Sequence, residues 1–201
     1  MAQFPLVKMD TLVFTGDKIR IDVSDSVITP NETFATVSHE VSFDSGATWF
    51  NISAKKIVDW IYSTEGTKTV QVRITSNAGS ATSSFALLVY DITTAKLFSN
   101  DMDLYMYEQD IDSILPKRWS SWNILHYNAQ KWILDWVDAK RMSDHNGNKY
   151  TVADFLDPQE VKQLSCYKVF EFAYESNSNV VGDISSIKRD KYRALANEKA
   201  S

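Results

Sequence analysis

The sequence contains a single cysteine, Cys166. One thiol excludes an intrachain disulfide framework and points to synthesis in a reducing compartment. No apolar run reaches the roughly 18 residues that a transmembrane helix needs, so no membrane partner is predicted. The first residues, MAQFPLVKMD, lack the basic start and continuous apolar stretch of a secretory signal. Only three histidines occur, His39, His126 and His145. No two are one helical turn apart and no Cys-x-x-Cys exists, so no zinc site is predicted. A phosphate loop and a dinucleotide fingerprint are also missing. These absences leave no residue to name as catalytic, cofactor-binding or metal-ligating. The expectation is a cytoplasmically made chain that works without a cofactor and is not an enzyme.

What is present suits a folded, water-soluble protein. Of 201 residues, 44% are hydrophobic and 23% charged. That length allows one large or two small domains. The net charge of -5 gives no general field to attract nucleic acid, although a local basic patch still can.

The two halves follow different periods. Up to about residue 90, polar and apolar residues alternate. Lys18 to Val23 does so, and Val70, Val72 and Ile74 share one side of a second run. Phe85 to Tyr90 is a short apolar run. Alternation marks a sheet buried on one face. Turn-forming clusters separate the runs: Thr15-Gly16-Asp17, Thr29-Pro30-Asn31, Asp44-Ser45-Gly46, Glu65-Gly66 and Asn77-Ala78-Gly79. This spacing predicts an all-β immunoglobulin-like sandwich over residues 1–93, held by packing alone.

From about Lys96 the period becomes helical. Asp103 to Leu115 predicts a first helix, stopped by Pro116. Ser121 to Met142 is the strongest helical stretch. Trp122, Leu125, Ala129, Trp132, Ile133, Trp136 and Val137 share one face, and Ser120 or Ser121 caps its start. Thr151 to Leu156 predicts a short helix with Thr151 or Tyr150 near its cap. Asp157-Pro158 begins another, with Glu160 in its first turn. Val161, Leu164, Cys166, Tyr167, Val169, Phe170, Ala173 and Tyr174 make that helix apolar on more than one face. It is therefore either central in its bundle or pressed against a partner. Asn177 to Gly182 reads as a loop, and Asp183 as the cap of a charged last helix with few apolar anchors and a mobile tail. The second domain is all-α, over residues 94–201.

One motif is sharp. Ser42-Phe43-Asp44-Ser45-Gly46-Ala47-Thr48-Trp49 matches the S-x-D-x-G-x-T-W pattern called an Asp box. Asp44 is placed to accept turn amides, Gly46 supplies a permissive backbone, and Trp49 packs beneath. One copy specifies a hairpin and not a propeller, which needs repeats. Cys166 lies in an apolar stripe and reads as a buried, inert thiol. His126 reads as an edge-of-core or interface histidine. Asp144-His145-Asn146-Gly147-Asn148 has the polarity of a calcium loop but lacks its closing glutamate. Asp110 and Asp112 have no spacing that makes them a catalytic pair. Trp119 is the best interface candidate of the tryptophan cluster, since it follows Lys117-Arg118 and lies off the helical stripe. Lys188-Arg189-Asp190-Lys191-Tyr192-Arg193 is a basic patch, suited to DNA phosphates, to an acidic neighbour or simply to water.

Residues 101–201 resemble the head-to-tail connector, or adaptor, of tailed bacteriophages. The resemblance rests on order and spacing. Asp110-Ile111-Asp112-Ser113-Ile114-Leu115-Pro116 corresponds to a short opening helix. The long helix Ser121 to Met142 follows, with His126 and Ala129 inside it. Thr151 to Glu160 leads into another long helix, and Ile184 to Arg193 forms the terminal one. The resemblance implies a structural virion protein of the neck, assembled in the host cytoplasm. It implies a homo-oligomeric ring of about twelve copies between portal and tail, through which phage DNA passes transiently. The helix Asp183 to Lys199 then docks the portal, with Lys188, Arg189, Lys191, Tyr192 and Arg193 as contact candidates. A tail or stopper protein binds the other side. The N-terminal sandwich departs from the minimal family pattern and suits a decoration. The alternatives are another neck, tail-completion or decoration protein, or a carbohydrate-binding module built on the sandwich and the Asp box.

Overall fold

Strand β2 (Lys18–Asp22) alternates exposed and buried side chains, with Ile19 and Ile21 inside. That is how a strand half-buried on one face must be written. The computed structural model describes residues 5–26, 38–76, 79–93, 95–140, 142–143, 146–155, 158–178 and 183–200. The expected turn Thr29-Pro30-Asn31, the pair Asn77-Ala78, Asp144 and His145 of the calcium-like loop, Leu156, Asp157 and Asn179 to Gly182 of the expected loop lie outside the described residues. The chain divides into two compact units, Met1–Ile92 and Thr93–Ser201.

The first unit holds β1 (Leu12–Phe14), β2, β3 (Ser38–Ser42), β4 (Phe50–Asn51), β5 (Ile57–Ile61), β6 (Gly66–Ser76) and β7 (Gly79–Tyr90). Among the described residues one sheet has the order β1-β7-β6-β3-β4, and the other pairs β2 with β5. β1 runs parallel to β7, and every other pair is antiparallel. Ile19, Ile21 and Val23 from the smaller sheet's side meet Val41, Val70, Val72, Leu87 and Val89 of the larger one. Two sheets thus share one apolar layer, as in a sandwich. β7 is twice as long as the apolar run Phe85 to Tyr90 suggests. Its first half, Gly79 to Ser84, is polar and pairs fully with β6.

The second unit is a helical bundle. It comprises α1 (Asp101–Leu104), α2 (Ile111–Ile114), α3 (Asn123–Ala139), α4 (Pro158–Asn177) and α5 (Ile184–Lys199), with a 3-10 turn at Val152–Asp154. Helix α4 is central: α1, α2, α3 and α5 all pack on it. This resolves its apolar residues on several faces. Cys166, Val169, Phe170 and Ala173 are completely enclosed.

Three local expectations need correction. Asp103 to Leu115 is two single-turn helices rather than one helix. Asn100 accepts the amides of Met102 and Asp103, and Asp103 returns a bond to the Asn100 amide, so the first turn starts at Asp101. Tyr107 then packs on Tyr167, and Glu108 is taken by α5. These tertiary contacts outweigh local propensity. Helix α3 begins at Asn123 rather than Ser121, and the Ser121 hydroxyl accepts the Asn123 amide. The last helix is well anchored. Tyr192 and Ala196 are fully buried against α4, and Leu195 packs beside them. As expected, Pro116 ends α2, with Leu115 forced to an extended ψ of 119°. Thr151 and Asp183 both cap.

Candidate functional site

The Asp-box turn joins β3 to β4. The Ser42 hydroxyl donates to Asp44 Oδ1 at 2.7 Å, and the Thr48 amide donates to the same oxygen at 2.8 Å. The Gly46 amide donates to Ser42 Oγ at 2.8 Å. Ser42, then Thr48, hold the Asp44 carboxyl down at about 2. Gly46 has φ of 93°, and a Cβ there would stand 2.6 Å from Gln71 Oε1. The positive φ favours glycine, whereas the Gln71 contact is with the end of a flexible side chain that can swing away. The Arg73 guanidinium lies 4.2 Å from the centre of the Trp49 ring and bonds Glu40 at 2.9 Å. Trp49 therefore lies on the outer side of the large sheet, over a Glu40–Arg73 pair. On the inner side Phe43 stacks on Trp60 at 4.2 Å, and Phe50 closes the group at 5.5 Å from Trp60. Asp44 is engaged within its own turn.

In the helical unit, His126 is 1% exposed. Its Nδ1 is 2.8 Å from Ser99 Oγ, its Nε2 is 3.1 Å from Asp101 Oδ1, and Ser99 Oγ is 2.7 Å from Ser165 Oγ. A serine, a histidine and an aspartate thus meet, a set that no spacing in the sequence displays. The hydroxyl is sealed, since Ser99 and Ser165 are both buried, so a substrate carbonyl has no approach to it. The cluster ties the start of α1 to α3 and α4. Cys166 is enclosed next to it. Burial above all, with Asp103 second, pushes its thiol up to about 12, which suits an unreactive cysteine. His39 is buried in the sandwich; burial, then Lys56, lowers its pKa. Among the described residues no three His, Cys, Asp or Glu side chains come close enough to hold a metal.

The basic patch of α5 divides when placed in three dimensions. Tyr192 is enclosed in the bundle, where its phenol donates to Glu108 Oε1 at 2.8 Å. It is a core residue, so the contact role expected for it is corrected. Lys188 donates to both Glu108 oxygens, at 3.1 and 2.9 Å, and to the Tyr174 hydroxyl. Burial opposes charge on Glu108, but the bonds from Lys188 and Tyr192 prevail and hold its carboxyl low. Arg193 donates to Glu171 at 2.8 Å, and Arg189 bonds its neighbour Asp190. Lys191 is exposed. The outward face of α5 instead shows Ile184 and Ile187, exposed by 76% and 61%. These two residues were not singled out in the sequence, where the last helix reads as charged with few apolar anchors.

The four clustered tryptophans also separate. Trp122 is buried against Phe170. Trp132 lies under the buried Lys168 ammonium at 4.0 Å, and Lys140 covers Trp136 at 5.7 Å. Trp119 is half-buried, with the Arg118 guanidinium 3.8 Å from its ring centre. It borders a pocket shared with Leu125, Asn128 and Phe172.

No family model matches the chain, and no curated protein is similar to it. One similar solved structure bears the description "Structural basis for the promiscuous specificity of the carbohydrate-binding modules from the beta-sandwich super family". The similarity covers 48% of this chain and 38% of that one, at 20% identity and a TM-score of 0.40. The chain thus spans well under half of that protein's length.

Proposed function

We propose that this chain is a structural protein of a tailed-phage neck, whose copies close into a ring between portal and tail and leave a lumen for DNA. The observation that carries the reading is the exposed pair Ile184 and Ile187 on α5. Large apolar side chains standing side by side in water mark a surface that a partner covers. The helix that bears them is locked to the bundle by Tyr192 on its other side, so the pair is presented and not merely frayed. In this reading Ile184, Ile187 and the exposed Lys191 face the portal, with Lys188, Arg189 and Arg193 behind them. The acidic net charge suits a conduit that must not hold DNA.

The sandwich is then an immunoglobulin-like decoration. Its strand order, with β1 parallel to β7 and β2 paired to β5 on the opposite sheet, supports that assignment. Native mass measurement or electron microscopy tests the whole reading. The expected result is a cyclic oligomer, alone or on the purified portal. Ile187→Asp should abolish portal attachment and leave the helical circular dichroism unchanged. A strict monomer that joins neither portal nor virion neck would sink the reading.

A second reading has one observation in its favour. Trp49 lies on the outer face of the large sheet beside Glu40 and Arg73, a combination of ring and polar groups that suits a sugar. A carbohydrate-binding role for the sandwich predicts binding on a glycan array that is lost in Trp49→Ala. No binding to any glycan removes it.

A further inference from the structure

We propose that the pocket beside Trp119 binds a free α-amino acid with an apolar side chain. The site is independent of the neck-ring reading.

The pocket lies between the start of α3 and the end of α4 and has a volume of about 230 Å³. Sites for drug-sized ligands usually enclose roughly 300–1,000 Å³, so this one suits a smaller molecule. Trp119, Leu125 and Phe172 wall it and supply an apolar seat.

Its polar groups are uncommitted. Arg118, Asn128, Glu175 and Ser176 complete the lining. The Arg118 guanidinium stacks on the Trp119 ring. Neither it, nor the Asn128 amide, nor the Ser176 hydroxyl makes a hydrogen bond or ion pair with another described residue. The Trp119 indole N–H is buried and has no acceptor among the described residues. A buried donor without an acceptor is costly. Glu175 is 3.7 Å from Arg193, beyond hydrogen-bond reach, and Arg193 already donates to Glu171. A few convergent polar groups on an apolar cavity are what a ligand site requires.

The two ends of the pocket differ in sign. Arg118 and Trp119 offer only donors. They precede α3, whose first turn has no acidic residue and no side-chain cap. Glu175 is an acceptor in the last turn of α4, which has no basic residue. Such helix ends favour an anion at the first and a cation at the second. The ligand must therefore bring a carboxylate, a cationic donor and an apolar body. An α-amino acid carries all three on one carbon. Its carboxylate meets Arg118 and the Trp119 N–H, its ammonium meets Glu175, and its side chain covers Leu125 and Phe172. Charge-assisted bonds of this kind are about twice as strong as neutral ones. A residue inside a peptide chain has lost both charges and cannot make them.

Nuclear magnetic resonance of the isotope-labelled full chain tests this. The six tryptophans give six indole N–H signals, and Trp119→Phe identifies one. L-leucine and L-phenylalanine are titrated in. The Trp119 signal should move saturably, with a dissociation constant on the order of 1 mM, while those of Trp49 and Trp60 stay. N-acetyl-leucine lacks the ammonium and leucinamide lacks the carboxylate. Each should bind roughly threefold to tenfold more weakly than leucine. Glu175→Gln should erase the preference over N-acetyl-leucine, and Arg118→Gln the preference over leucinamide. Both side chains are exposed, so the fold should survive, and the ligand series on the unaltered chain stands without the variants. No saturable movement with either amino acid overturns the proposal. Preferences that persist in both variants overturn it as well. N-acetyl-leucinamide binding as tightly as leucine also overturns it, in favour of a peptide segment. A ring-forming chain that binds no amino acid overturns this site and leaves the neck reading standing.

Discussion

Asp44 is fully exposed, yet its carboxyl is held at about 2, first by the Ser42 hydroxyl and then by the Thr48 amide. A carboxyl lowered in the fold stabilises it at pH values above its unfolded range. That contribution disappears as the pH falls toward 2. The denaturation midpoint of Asp44→Asn should therefore lie below wild type at pH 7, and the gap should narrow at pH 2.5. An equal gap at both pH values would show that the charge is not what matters. Gly46→Ala should cost about 1–2 kcal/mol, because a side chain at that positive φ is strained. A urea titration followed in the sandwich signal measures it. In the other unit, Tyr192→Phe removes one donor from Glu108 and should cost about 1.5–3 kcal/mol. At this scale the Asp box was legible, because its residues are consecutive. The Ser99–His126–Ser165 cluster was not. Its members come from separate elements, and no periodicity links a serine to a histidine that far along the chain.

Helix α4 shows why apolar residues on several faces matter. Every other helix of the bundle uses one of its sides, so even polar positions are enclosed. Lys168 and Glu171 are one turn apart, ion-paired and buried, and Arg193 of α5 reaches the same carboxylate. Trp132 of α3 and Phe172 flank the ammonium. Desolvating such charges is costly, so the network serves to fix the register of three helices more than to stabilise them. Removing one member leaves the others exposed to the low dielectric without a partner. Lys168→Ala should cost about 3–5 kcal/mol in chemical denaturation. The double change Lys168→Met with Glu171→Leu should cost less than Lys168→Ala alone. A double variant that costs as much as Lys168→Ala, or more, would show that the charges contribute net stability. The helical stripes of α3 and α4 were readable because tertiary packing agreed with their period. The Asp103 to Leu115 stretch was misread as continuous because capture of Glu108 by Lys188 and Tyr192 cannot be seen in a local pattern.

On the scale of the whole chain, the change from alternating to helical periodicity accompanies two separate apolar cores. One comprises Val13 to Val89 of the sandwich, and the other Leu104 to Ala196 of the bundle. A core is what makes a unit cooperative, so each should unfold as its own transition. Two substitutions already argued can label them. Gly46→Ala acts only on the sandwich hairpin and Tyr192→Phe only on the bundle. Distant sites without shared partners act additively. Calorimetry of the full chain should resolve two transitions, with Gly46→Ala lowering one and Tyr192→Phe the other. The double variant should lower both by the same amounts as the single ones. Loss of the far-ultraviolet helical signal should follow only the transition that Tyr192→Phe moves. A single transition shifted by both substitutions would mean that the two units share one cooperative fold, and that the sandwich is part of the bundle's stability rather than an independent addition to it.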